Sequence, residues 1–120
     1  MSCVLRVSVP NIEGTLKRLS ISPYRVENDT AHFNVSDADF NNFNAQVNDA
    51  VVFLNSNGAD LKRLMSEPRA SGELDFAIEW LDVAFQCDTL PSALVCLAGG
   101  FGLALTLSHY PVSEAGNAEA

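Results

Sequence analysis

Two segments of the chain alternate apolar and polar residues, a pattern that predicts β-strands with one buried face. The first segment spans residues 3–9 and the second residues 73–80. Their apolar positions are Cys3, Leu5, Val7 and Val9, then Leu74, Phe76, Ile78 and Trp80. The apolar set changes phase after Trp80, so we expect a bulge or bend at residues 80–82 and the strand to continue through Leu81, Val83 and Phe85.

Apolar residues spaced three or four apart predict helices in four further segments. The longest predicted helix starts near Ser36 or Asp37, either of which can cap it, and carries apolar residues from Phe40 to Leu54. Shorter helices are predicted over residues 12–19, capped by Asn11, and over residues 60–65. A last helix starts at residues 88–91 and ends at Gly99-Gly100.

The remaining strands complete a mixed pattern. Residues 23–27 and 31–35 flank Asn28-Asp29-Thr30, which predicts a hairpin. Residues 101–109 are almost entirely apolar, which predicts a central strand covered on both faces. The order β-α-β-β-α(α)-β-α-β predicts an α+β fold, with a single mixed or mostly antiparallel sheet and helices on one face. We expect one domain over residues 1–111 and a flexible tail over residues 112–120.

Composition and charge narrow the class of protein. The chain has 120 residues, 48% of them hydrophobic, and a formal net charge of −8. An acidic surface repels phosphates, so we expect neither nucleic acids nor anionic membranes as partners. The first residues lack the basic and apolar regions of a secretory signal, and the three cysteines form no CxxC motif. These features favour a cytoplasmic protein with buried thiols.

The charges are distributed unevenly along the chain. All seven basic residues precede position 70, whereas seven acidic residues follow it. Glu73, Asp75 and Glu79 share one face of a predicted strand, where they repel one another and a cationic partner would relieve the repulsion. The alternative is a solvated face that maintains solubility. The predicted partner-binding residues are Glu73, Asp75, Glu79 and Asp82, with Asn41 and Asn48 on an asparagine-rich helix face.

Candidate catalytic chemistry is sparse in this sequence. His32 and His109 are the possible general bases, and Cys87 with His109 is a conceivable nucleophilic pair. The glycines at 99, 100 and 102 follow a helix and precede a strand, which is the wrong order for a phosphate-binding loop. We therefore predict no catalytic residue, no metal site and no cofactor.

Residues 40–111 resemble a widespread family of small bacterial domains of unknown function. The shared features are Gln46, Phe53-Leu54, Asp60-Leu61 with Leu64, Leu74-Asp75-Phe76, Leu90-Pro91 with Leu94, and the closing segment from Leu103 to Pro111. The resemblance implies an α+β fold and a bacterial origin. Some small acidic domains of this kind are immunity proteins of bacterial toxin systems.

Taken together, these patterns predict a non-enzymatic acidic domain that binds a basic protein, in its most concrete form an immunity protein that neutralises a toxin. Two alternatives remain open at this point. One is a small-molecule-binding protein or enzyme that uses His109 or His32. The other is a homo-oligomeric scaffold, for example a homodimer, in which a sheet edge or residues 101–109 pair between subunits.

Overall fold

The computed structural model describes residues 1–111, which form five strands and four helices. The predicted tail at residues 112–120 lies outside the described residues. The strands are β1 (Cys3–Ser8), β2 (Arg25–Glu27), β3 (Thr30–Ser36), β4 (Ser71–Trp80) and β5 (Ala104–Pro111). The helices are α1 (Ile12–Leu16), α2 (Phe43–Ser56), α3 (Gly58–Met65) and α4 (Ser92–Gly100). None of the described helices has the length and apolar character needed to cross a bilayer.

The strands form a single sheet in the order β2-β3-β1-β4-β5. All neighbouring pairs are antiparallel except β4 and β5, which run parallel and are joined through α4. The predicted α+β class, the mixed sheet and the order of elements are therefore confirmed. The strand order itself was not predicted, and it determines where the functional residues meet.

The two faces of the sheet differ in character. Leu5, Phe33, Leu74 and Phe76 lie on the face that the helices cover, and they form the core with residues such as Leu54 of α2. Alternate residues point to the opposite face, here called the open face. One row across it, from β2 to β5, consists of Arg25, His32, Arg6, Glu73 and Ala104. The open face therefore carries most of the charge of the sheet.

The prediction that residues 101–109 form a central strand is wrong. β5 begins at Ala104 and lies at one edge of the described sheet, paired only with β4. Leu105 and Leu107 point to the core face but stay half-buried. The chain turns from α4 into β5 at Gly102, whose φ of 76° suits glycine. The apolar run reflects an edge strand beside an apolar helix rather than a strand covered on both sides.

Several helices also begin at residues other than those predicted. Ser36 stays in β3, where its hydroxyl donates to Asp49 Oδ2 at 2.6 Å, and Asn42 caps α2 by accepting from the Ala45 amide at 3.1 Å. Asn11 precedes α1 in a left-handed conformation without a side-chain cap bond. The predicted hairpin is confirmed, with Asn28 and Asp29 both at positive φ.

The chain after β4 does not continue as a strand. β4 ends at Trp80, and Asp82 adopts a φ of 52°. Leu81, Val83 and Phe85 therefore lie in the loop that leads to α4, with exposed fractions of 54%, 46% and 81%. The alternating apolar pattern here marks exposed side chains on a loop, and this loop forms one wall of the site described next.

Candidate functional site

The predicted acidic stripe exists as a geometric feature. Glu73, Asp75 and Glu79 lie on the open face of β4, as the period-two pattern predicts. Asp82 lies beyond the end of the strand, in the following loop. The four predicted acidic residues thus divide into a pair near the start of β4 and a pair near its end.

Arg6 pairs with both carboxylates of the first pair and balances one of their two charges. It lies opposite Glu73 on the adjacent strand β1, and its Nη1 donates to Glu73 Oε1 at 2.9 Å and to Asp75 Oδ2 at 2.8 Å. These hydrogen bonds, the one to Asp75 first, raise the pKa of Arg6 above its ordinary value. Glu73 and Asp75 therefore already share a cation of the chain itself, and their role in binding a partner stays a prediction.

Two hydroxyl groups of β5 complete this network. Thr106 Oγ1 donates to Glu73 Oε2 at 3.1 Å, and Ser108 Oγ donates to Asp75 Oδ1 at 2.6 Å. Each carboxylate thus uses both oxygen atoms within the chain. We call Arg6, Glu73, Asp75, Thr106 and Ser108 the Arg6 network; it joins β1, β4 and β5 across the open face.

The two histidines lie apart from each other. His32 is on the open face of β3 beside Arg6, and its pKa is lowered by partial burial and then by the charges of Arg6 and Arg25. His109 is opposite Ile78 on the other face of the sheet, with its ring 5.9 Å from that of Trp80. The structure therefore does not bring the two candidate general bases into one site.

The cysteines differ from the prediction of three buried thiols. Cys3 is fully buried, and burial followed by the charges of Asp75 and Asp49 raises the pKa of its thiol to about 12. Cys87 and Cys96 are exposed. Among residues 1–111, no three His, Cys, Asp or Glu side chains are grouped to hold a metal ion.

A cleft of about 320 Å³ lies at the carboxyl end of β4. Ligands of sheets with parallel strands commonly bind beyond the carboxyl ends of those strands, where the connecting loops begin. The apolar lining residues come from the segment before α2, from the first turn of α2, from β4 and from the loop after it; they are Phe40, Phe43, Ile78, Leu81 and Phe85. We call this feature the β4-end cleft.

Neutral amides brace the walls of the β4-end cleft. Gln86 Nε2 donates to the Glu79 carbonyl at 2.9 Å, and Gln86 Oε1 accepts from the Leu81 amide at 2.9 Å. Behind the cleft, the buried Gln46 of α2 donates to the Ala77 carbonyl at 2.8 Å. The Gln86 bonds hold the loop after β4 through backbone atoms, and the Gln46 bond holds β4 itself.

The rim of the cleft is acidic. Glu79 and Asp88 line it, and Asp82 lies in the same loop. No ion pair within residues 1–111 involves any of the three. Asp88 accepts only a neutral hydrogen bond, from Gln86 Nε2 at 3.1 Å. Three carboxylates without an ion pair within residues 1–111 are therefore found at the cleft and in the loop that forms its wall.

The two predicted asparagines also lie in different places, one at the cleft and one away from it. Asn41 lines the β4-end cleft beside Phe40, whereas Asn48 is exposed further along α2 and does not line it. The sequence patterns did not indicate Phe85 and Phe40 as site residues. The signal that could have identified them is the alternation of apolar residues with acids, as in Leu81-Asp82-Val83. A strand buried at this point would not carry a charged residue.

Neither a protein-family model, nor a curated protein, nor a solved structure matches this chain. The family resemblance and the bacterial origin expected from the sequence therefore stay predictions.

Proposed function

We propose that the protein is a non-enzymatic binding domain whose β4-end cleft receives a basic protein partner. The observation that carries the proposal is the exposure of Phe85, Leu81 and Val83 beside three carboxylates that form no ion pair within residues 1–111. An apolar patch rimmed by polar groups is typical of protein interfaces. A partner that offers an apolar anchor surrounded by Lys or Arg matches both features of this site.

The charges support the sign of that partner. Glu79, Asp82 and Asp88 have no basic neighbour in sequence, because the last basic residue is Arg69. Carboxylates on a rim accelerate encounter with a cationic protein and make binding sensitive to salt. The proposed partner-binding set keeps Glu79, Asp82 and Asn41 and adds Asp88 and Phe85. Asn48 lies outside the cleft, and Glu73 and Asp75 act within the chain.

The concrete form of this proposal is an immunity protein that neutralises a basic toxin or effector. Such inhibitors need only to cover a surface of the toxin, so a small domain with one rigid site suffices. The amide braces of Gln46 and Gln86 give the site the required rigidity.

Photo-crosslinking inside the source cells tests the proposal. A photo-reactive phenylalanine analogue at Phe85 should capture one basic protein, identified by mass spectrometry. The same analogue at Val52, which is 63% exposed on α2 outside the cleft, is the matched control and should not capture it. Equal capture from both positions, or a captured protein without a basic surface, contradicts the proposal.

The captured partner, once purified, gives a quantitative test. We expect Glu79→Lys to weaken binding at least about tenfold, whereas Glu13→Lys on α1 changes it less than about twofold. The affinity should fall as salt is raised. If expression of the partner alone does not arrest growth, or if co-expression of this protein does not rescue it, the immunity form is wrong although the binding role stands.

A further inference from the structure

The described sheet ends in two edges of different kinds. β2 has three residues, two of them the charged Arg25 and Glu27, which form an ion pair. β5 has eight residues and no charged side chain. Folded monomers usually protect sheet edges by short strands or charges, because an unpaired edge offers its backbone groups to another chain. β2 carries this protection, and β5 lacks it.

The segment of chain that contains β5 is also free of acidic and basic residues. From Thr89 to Pro111 the chain has no Asp, Glu, Lys or Arg. The outward side of α4, which packs beside β5, exposes Val95 at 47% together with Ala93 and Cys96. On the open face the carboxylates hydrogen-bonded to β5 are those of Glu73 and Asp75, and both are paired with Arg6.

We propose that β5 pairs antiparallel with β5 of a second copy, forming a dimer with a continuous ten-stranded sheet. Two copies of a chain with net charge −8 repel one another, and β5 itself adds no Asp, Glu, Lys or Arg to a seam between them. An antiparallel strand pair about a two-fold axis is self-complementary, so one surface serves both copies. Leu105 and Leu107 then meet the same residues of the partner on the core face, and Thr106 and Ser108 lie on the open face.

The geometry sets the strength of this contact. An eight-residue strand is about 26 Å long, and a seam that includes the adjacent helix is about 15 Å deep, so roughly 400 Å² of each copy is buried. The total of about 800 Å² lies below the range of about 1,200–2,000 Å² that stable interfaces bury, so we expect a weak dimer that forms only as the concentration is raised. The dimer places its two β4-end clefts at opposite ends of the seam, and it is independent of whether either cleft binds a partner.

Sedimentation of the full chain from about 1 to 200 µM tests the proposal. The expected mass rises from 12.9 kDa towards twice that value. Leu107→Lys should shift the midpoint at least about tenfold to higher concentration, because each ammonium group would face the apolar Leu105 of the other copy. Val26→Lys is the matched control on the other edge, since Val26 also lies on the core face of an edge strand and is 38% exposed. A chain that stays monomeric throughout the range overturns the proposal.

Disulfide scanning covers the case in which Leu107→Lys unfolds the protein. In a background of Cys87→Ser and Cys96→Ser, a cysteine is placed at one β5 position at a time: Ala104, Thr106, Ser108 or Tyr110. A two-fold antiparallel seam predicts the most intermolecular disulfide at one interior position and less at both ends, because the sulfurs meet only near the axis. Equal yields at all four positions, or a dimer broken by Val26→Lys, overturn the β5 seam.

Discussion

The two ends of β4 hold their carboxylates in opposite ways. At the amino end, Glu73 and Asp75 are bound by Arg6 and by two hydroxyl groups of β5. At the carboxyl end, Gln46 and Gln86 hold the backbone, and Glu79 has no ion pair among residues 1–111. Charge that stabilises the fold is thus separated from charge that is available to a partner. Because neutral amides hold the carboxyl end of β4 and the loop after it, the carboxylates there are not needed for ion pairs within the fold.

Removal of the amide brace has the largest expected effect on stability. Gln46→Ala should lower the free energy of unfolding by about 2–3 kcal/mol, because it leaves the Ala77 carbonyl unpaired and opens a cavity in the core. Urea denaturation measures the change. Asn48→Ala, an exposed position of the same helix, is the control and should cost less than about 0.5 kcal/mol. Similar losses for both would mean that the carboxyl end of β4 is held by something else.

Disruption of the Arg6 network should rank second. Arg6→Met keeps most of the stem of the side chain but leaves two carboxylates facing each other, at an expected cost of about 1–2 kcal/mol. Adding Asp75→Asn to Arg6→Met should recover part of that loss, since one of the repelling charges is removed. Urea midpoints of the single and double variants give the coupling; strictly additive losses would show that the network is not cooperative.

Neutralising one acid at each end sharpens the comparison further. Glu73→Gln should cost about 0.5 kcal/mol, because it weakens a partly exposed ion pair. Glu79→Gln should leave stability unchanged or slightly raise it, since its carboxylate has no cation to lose. Thermal unfolding in matched buffers resolves the two. A larger loss for Glu79→Gln than for Glu73→Gln would reverse the roles assigned to the two ends.

The smallest expected effect concerns the pH response of His32. Its folded-state pKa lies below the ordinary 6.5, so the unfolded chain binds the proton more readily. The contribution of neutral His32 to stability is complete above pH 6.5 and is lost as the pH falls through the folded value. Proton NMR titration should show the pKa of His32 rising in Arg6→Met, because a neighbouring positive charge is gone. An unchanged titration would show that burial alone sets it.

Most of the fold, but only part of the site, could be predicted from the sequence. The alternation in β1 and β4 is a local property, so Leu5 and Leu74 were assigned to the core correctly. The pairing of Arg6 with Glu73 depends on β1 and β4 being neighbours, and strand order is decided by the packing of the whole domain. Phe85 was misassigned for a related reason: an alternating apolar run predicts a strand only where a neighbouring strand is there to accept it.

The position of β1 has a consequence for synthesis. This first strand is central and bonds to β3 on one side and β4 on the other. On the ribosome, β3 emerges soon after it, whereas residues 71–80 follow several seconds later at about 5–20 residues per second. Until β4 has emerged and paired, one side of β1 is therefore an open hydrogen-bonding template.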